Sequence, residues 1–293
     1  MTSSLILNFI TWDVNSDIFT IPIINHPIRW YGIFWLLGII LCYRLLWTMF
    51  KKEGRAVDFL DQLSIYIVLG TIIGARLGHV LFYDPSYYFS NPLKIFAIWE
   101  GGLASHGGGI GILVAIFLFA KKQKLPFLWV ADRIALVVPI AGACIRLGNL
   151  MNSEMIGTPT NMPWAFIFTS IDQIPRHPAQ LYEALFCMIL FLLLRYLWTK
   201  PILKNNIGNC FALLLILLFS FRFLDEFLKL NQEDFENSLF INMGQLLSIP
   251  FILIGSVLLI INSRKKHNSS CKPKVSQAGI NWIILMDYLR IPD

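Results

Sequence analysis

Charge is scarce in this sequence. Asp, Glu, Lys and Arg make up 14% of 293 residues, against roughly 25% in an ordinary soluble domain, which leaves too little polar sequence for a separate water-soluble domain. Cysteine pattern is lacking as well. Cys42, Cys144, Cys187 and Cys210 lie in apolar runs and Cys271 in a basic tail, with no Cys-x-x-Cys and no Cys/His spacing, so neither disulfides nor a zinc site is indicated and no metal is expected. Basic residues are missing from the first twenty positions, where Asp13 and Asp17 fall before any small-residue cleavage site; this argues against a cleavable signal peptide. What is abundant is apolar surface: 56% of the residues are hydrophobic, which places the chain in a lipid bilayer.

A spanning helix needs about 20 mostly apolar residues. Windows of that kind predict an all-α polytopic membrane protein with about seven transmembrane helices, near 29–50, 62–83, 96–120, 131–150, 179–199, 207–228 and 242–262. The net charge of +6 does not indicate nucleic acid. Fourteen of the 24 Lys and Arg residues fall in four segments, 51–55, 121–124, 200–204 and the tail from 264, each following an apolar run. Loops and span entries of the other parity hold Arg29, Lys94, Arg176 and Lys229. Basic loops stay in the cytoplasm, so the N-terminus is expected outside, in the periplasm, and the C-terminus inside. Residues 1–263 then form one integral catalytic domain, and residues 264–293 a basic cytoplasmic tail in which 280–291 is a short interfacial helix or disordered.

Ionisable side chains within spans are costly and need partners or a water-filled cavity. Arg76, Glu100, Arg146, Glu183, Arg222 and Glu226 are of this kind, whereas Arg44, Arg133 and Arg195 sit near cytoplasmic ends and can snorkel. Arg222 and Glu226 are four apart and share one helix face, either as a structural ion pair or as an anchor for an anionic head group. Trp99–Gly111 carries six glycines in its last eleven residues, which predicts a glycine-broken third span lining a cavity. His106 within it is a general base or a hydrogen-bonded support for the break. The outer end of the fourth span, Arg146-Leu147-Gly148-Asn149-Leu150-Met151-Asn152-Ser153-Glu154-Met155-Ile156-Gly157, is the richest polar cluster. Its arginine suits a phosphate and its amides and carboxylate suit neighbouring side chains or a glycerol hydroxyl; the plainer reading is a helix exit. Gly74-Ala75-Arg76-Leu77-Gly78 offers small-xxx-small helix packing, with the arginine unexplained.

Together these segments resemble the prolipoprotein diacylglyceryl transferase family. Its signature block reads approximately Gly-Arg-x-Gly-Asn-Phe-x-Asn-x-Glu-x-x-Gly, matched here by Arg146, Gly148, Asn149, Asn152, Glu154 and Gly157, with Ile145 for the first glycine and Leu150 for the phenylalanine. The resemblance runs from Trp30-Tyr31-Gly32 through Gly74–Gly78, Trp99–Gly111, Arg176-His177-Pro178-Ala179-Gln180-Leu181-Tyr182-Glu183 and Arg222–Phe227 to Met243–Pro250. It departs after Phe227, where the family often continues to Arg-x-Pro-Asp and this chain has Leu228-Lys229-Leu230-Asn231.

The resemblance implies transfer of a diacylglyceryl group from phosphatidylglycerol to the lipobox cysteine thiol of a prolipoprotein signal segment, in the bacterial inner membrane and without a cofactor. It implies catalytic roles for Tyr31, His106, Arg146 and Arg222, with His106 the base and the arginines supporting the departing phosphate, and substrate binding by Arg146, Asn149, Asn152, Glu154, Gly157 and Glu226. A transporter for an anionic solute would use similar intramembrane arginines and a broken helix, but no repeated halves are evident.

Overall fold

The computed structural model describes residues 9–22, 26–98, 101–204, 206–230 and 241–270. Trp99, Glu100 and the tail from 271, including the expected interfacial helix, lie outside them. Long helices dominate: α1 (Trp30–Lys52), α2 (Val57–Phe82), α4 (Ser105–Lys122), α5 (Phe127–Met151), α6 (Ala179–Trp198), α8 (Asn209–Asp225) and α9 (Met243–Ser270), with short α3 (Pro85–Ser90) and α7 (Pro201–Lys204) between them. Each predicted apolar stretch falls on one of the long helices. Five of these, α1, α2, α5, α6 and the part of α9 up to Arg264, are long and apolar enough to cross a membrane. The other two fall short because α4 opens on polar and glycine residues and ends on Lys121-Lys122, and α8 has 17 residues. Apolar side chains such as Leu36, Ile40, Leu69, Ile73, Ile189 and Leu192 stand exposed along the helices. Water would not tolerate so large a continuous apolar surface; lipid does, and the chain is a multi-pass membrane protein.

The chain is not wholly helical. Strands β1 (Ile10–Trp12), β4 (Phe166–Phe168) and β5 (Pro175–Arg176) form one small sheet, and β2 (Asp17–Ile21) and β3 (His26–Arg29) a hairpin. They corrected the all-α expectation because each is five residues or fewer, too short to show a periodic signal, and because β1 and β4 come from distant parts of the chain. The sheets mark one end of the bundle; the opposite end carries Lys51, Lys52, Lys121 and Lys122 in the last turns of α1 and α4, where cations complement the helix dipole.

The centre is α5, in which 15 of 25 residues are buried and against which α1, α6 and α8 pack. Two buried charges near its start serve the architecture. Asp132 accepts from the main-chain N–H groups of Gly208 (2.6 Å) and Phe211 (2.8 Å), capping α8 from a neighbouring helix. Arg133 grips both carboxylate oxygens of Glu53 at 2.9 Å and lies 3.4 Å over the Trp129 ring. It is 9% exposed and so does not snorkel as its position near a span end suggests; a bidentate partner at the end of α1 satisfies it in place.

The glycine-rich third segment also differs from expectation. Its break precedes the helix, at Gly101 and Gly102, whose φ values are +89° and +72°. From Ser105 onward α4 is continuous, and its glycines serve contact with α2. A Cβ on Gly107 would run into the carbonyl oxygen of Gly74, one on Gly111 into that of Gly70, and one on Gly78 would come within 2.8 Å of the Gly107 Cα. Helices in lipid gain little from apolar burial and associate through such close backbone packing. Arg76, 4% exposed, donates to the carbonyls of Lys94, Ile95, Ala97, Gly101 and Gly102, clasping the chain between α3 and α4 to the end of α2.

Gly107→Ala should therefore destabilise the fold by about 1–3 kcal/mol through overpacking. Gly109→Ala, whose Cβ meets nothing within 4 Å, should instead gain up to about 1 kcal/mol of helix propensity. Thermal unfolding of the two purified variants reads the opposite signs.

Candidate active site

The polar cluster at the end of α5 is assembled by local geometry. The helix stops at Met151 with Asn152 as its C-cap, and the chain then turns through Ser153 and Met155, both left-handed at φ +54° and +56°. Such a conformation costs roughly 1–2 kcal/mol for each non-glycine residue. The turn aims Glu154 back at the helix: its N–H donates to the Asn149 carbonyl at 2.9 Å, and its carboxylate accepts from Asn149 Nδ2 at 3.0 Å and Asn152 Nδ2 at 3.1 Å. Asn149 Oδ1 in turn accepts from Arg146 Nη1 at 3.4 Å. Arg146, Asn149, Asn152 and Glu154 are thus joined in one chain of contacts.

Tyr31, in the first turn of α1, stands beside this cluster. Gly148 makes the approach possible, since a Cβ there would lie 3.0 Å from the Tyr31 ring and 3.2 Å from its Cα. Tyr31, Asn152 and Glu154 line an open cleft of about 950 Å³ that also takes in Arg29, Gly32 and Leu36. Charged, polar and apolar side chains share its lining, a combination suited to an amphiphile.

Behind Arg146 lies a buried ionic network. Arg146 Nε is 2.8 Å from Glu183 Oε2, and Lys229 Nζ is 2.8 Å from Glu183 Oε1. Lys229 also approaches Asp225 Oδ2 (3.2 Å) and Glu226 Oε2 (3.6 Å). All four of these residues other than Arg146 are at least nine-tenths buried. Glu226 ends α8, its N–H still donating to the Arg222 carbonyl, and opens a 3-10 turn, Glu226–Leu228. Its carboxylate approaches Lys229, and among the described residues the Arg222–Glu226 ion pair, one of the two readings of that spacing, is not formed. Gly244 leaves room for the Glu226 carboxylate, which a Cβ would strike, and α9 opens there with a reciprocal cap: Gln245 N–H donates to Asn242 Oδ1 at 3.0 Å and Asn242 N–H to Gln245 Oε1 at 3.3 Å.

Gly157 is placed by this corner rather than by the cleft. Its N–H donates to the His177 carbonyl at 3.0 Å, Thr158 N–H donates to Leu228 O at 2.8 Å, and Gly157 bridges Lys229. A Cβ on Gly157 would sit 2.8 Å from Leu228 O. The neighbouring Arg176 pairs with Asp172 and holds that carboxyl below the usual carboxylate range. His106 and Arg222 form a separate group. His106 is exposed in the first turn of α4 within range of the Arg222 charge, and among the described residues no hydrogen bond or ion pair links either to the Arg146 cluster. Arg222 there has no ion-pair partner, so its guanidinium donors face no carboxylate.

Three members of the network, Glu183, Asp225 and Lys229, were not anticipated as site residues. Glu183 stood out only as an intramembrane charge, and Lys229 fell where the chain departs from the family pattern. The available signal was the spacing of Lys229 from Asp225 and Glu226, four and three residues, which on one helical turn brings a cation to two acids. Lys229→Met should leave three buried carboxylates short of a cation and cost about 3–5 kcal/mol, with Lys229→Arg retaining most of the stability. Thermal unfolding in detergent compares the two.

Residues 18–261 match the family model described as prolipoprotein diacylglyceryl transferase. A phosphatidylglycerol–prolipoprotein diacylglyceryl transferase of Tolumonas auensis is 45% identical over 253 residues, covering 86% of this chain and 98% of that protein. Proteins of the same name from Bacteroides fragilis (43% over 270 residues, 88% and 96% covered) and Porphyromonas gingivalis (44% over 271 residues, 86% and 94%) are similar to comparable extent. With the signature residues gathered at one end of the bundle and a match of this extent, the chain belongs to the prolipoprotein diacylglyceryl transferase family.

Proposed function

We propose that this protein transfers the sn-1,2-diacylglyceryl group of phosphatidylglycerol to the lipobox cysteine of prolipoproteins, the first step of lipoprotein maturation. The observation that carries the reading is the match to relatives of that name over nearly their whole length, joined to the Arg146–Asn149–Glu154 cluster, whose Glu154 lines a cleft of mixed polar and apolar side chains. The cysteine sulfur forms a bond to glycerol carbon 3, the carbon–oxygen bond to phosphate breaks, and glycerol 1-phosphate leaves with the bonding pair. No redox partner is needed.

The leaving phosphate gathers negative charge in a water-poor site, where fixed cations stabilise a transition state more than they do in water. Arg146 keeps donors beyond those used on Glu183 and Asn149, and Arg222 keeps its whole guanidinium. Both suit phosphate oxygens. The thiol, with an ordinary pKa of about 8.5, reacts as the thiolate; His106 accepts its proton, and the Arg222 charge beside it favours the anion. Tyr31, Asn149, Asn152 and Glu154 orient the glycerol head group at the cleft wall. Glu226 and Gly157 act from behind, through Lys229 and the corner they shape.

In this reading all seven long helices cross the bacterial inner membrane, α4 and α8 included. The sheet end faces the periplasm, the lysine-rich end the cytoplasm, and the signal segment and the lipid enter sideways from the bilayer. Residues 1–263 are the catalytic domain and residues 264–293 a basic cytoplasmic tail, the first seven of which continue α9. The loop charge distribution supports this orientation.

Purified protein, phosphatidylglycerol and a lipobox peptide should yield a thioether product visible by mass. Arg146→Ala should lower the rate by about 100-fold or more while still folding, at an unfolding temperature lowered because Glu183 loses one of its two cations. Absence of product from well-folded wild type would sink the transferase assignment and turn attention to transport of an anionic solute.

A further inference from the structure

The block Arg176–Glu183 places one more polar side chain in the interior, at Gln180, the second residue of α6. Gln180 is 0% exposed and lines no part of the cleft. Its amide nitrogen donates to the main-chain carbonyl of Glu154, 26 residues away, while its Oε1 has no hydrogen-bond partner among the described residues. A reversed amide would set oxygen against the Glu154 carbonyl oxygen, so the donor must face the loop. That carbonyl is flanked by the two left-handed residues Ser153 and Met155. Neither is glycine, so the backbone is held outside its preferred wells, and such conformations persist only where surrounding contacts over-determine them. On the near side the Glu154 and Ser153 N–H groups are tied to α5 at Asn149 O and Leu150 O; Gln180 fastens the carbonyl from the opposite side, out of α6. Rotation of the 154–155 peptide would release the Gln180 bond and loosen the turn that carries the Glu154 side chain.

We propose that Gln180 is a positioning residue: by gripping the Glu154 main-chain carbonyl it holds the left-handed turn that aims the Glu154 carboxylate at Asn149, Asn152 and the cleft. The catalytic part of this inference rests on the transferase reading; the conformational part does not.

The test uses full-length protein in detergent or nanodiscs, with phosphatidylglycerol and a lipobox peptide. Gln180→Met keeps the volume and removes the donor, and it should lower kcat by roughly tenfold to a hundredfold, the scale of a misplacement of about 1 Å. Combined with Glu154→Gln, the double variant should turn over within about twofold of Glu154→Gln alone, because residues acting through one group are not additive. A general loss of packing would instead multiply the two effects, and that result, or an unchanged kcat in Gln180→Met, overturns the proposal. Gln180→Asn keeps an amide one methylene short of the carbonyl and carries the same expectation if the methionine variant does not fold. Amide hydrogen exchange gives a reading independent of activity: Gln180→Met should speed exchange at Ser153 and Glu154 by about tenfold or more while leaving the middle of α5 protected. Unaltered exchange there overturns the grip even if wild type makes no product, whereas product from wild type with additive variants removes the inference and keeps the transferase.

Discussion

One carboxylate is shared by two cations, and the rest of the site depends on it. Glu183 gives one oxygen to Arg146 and the other to Lys229. A carboxylate buried in apolar surroundings is costly unless paired on both sides, and each cation here is fixed by a different part of the chain: Arg146 by α5, Lys229 by the 3-10 turn after α8 and by its bridge to Gly157. Glu183 therefore ties α5, α6 and the end of α8 into one rigid body at membrane depth. The Arg146 guanidinium is thereby held on α5 between Glu183 and Asn149.

Around this anchor the helices pack by two different rules. On the α2–α4 side, glycine faces glycine and the main chains approach until carbonyl oxygens meet α-carbons. On the α5–α6–α8 side, larger side chains interdigitate, with Phe186 and Phe221 stacked at 3.9 Å and Leu136, Leu190 and Leu194 buried between them. The first arrangement leaves α4 thin where it begins, so His106 stands exposed at its end; the second forms a core where the starts of α5 and α8 meet the end of α6.

How much of this was legible beforehand follows from the range of each interaction. The long helices were, because apolar runs of this length have few other interpretations, and so were Arg146, Asn149, Asn152 and Glu154, because they lie within three turns of one another. Arg76 was not: its partners are main-chain carbonyls, which leave no trace in residue identity. Lys229 was read as a departure from a pattern, yet its ammonium does the neutralising there, since its partners Asp225 and Glu226 are local while Glu183 lies 46 residues away. The ion-pair reading of Arg222 and Glu226 failed because Glu226, although four residues on, has its carboxylate beside Lys229, a partner that helix spacing from Arg222 does not reveal. The glycines of the third span were recognised as backbone contact points, but the partner they contact is α2, so the helix runs on unbroken where lability was anticipated.

The indole N–H of Trp12 donates to the carbonyl of Leu150, 138 residues along the chain, and β1 runs parallel to β4. A ribosome releases β1 long before either partner exists, so this strand waits outside the bundle through the insertion of four long helices. Lys229 is made later still, and until then Glu183 has only one cation. Completion of the site is thus a late event in the life of the polypeptide, and a nascent chain halted between Gly157 and α8 has every signature residue of the α5 block yet no finished frame to hold them.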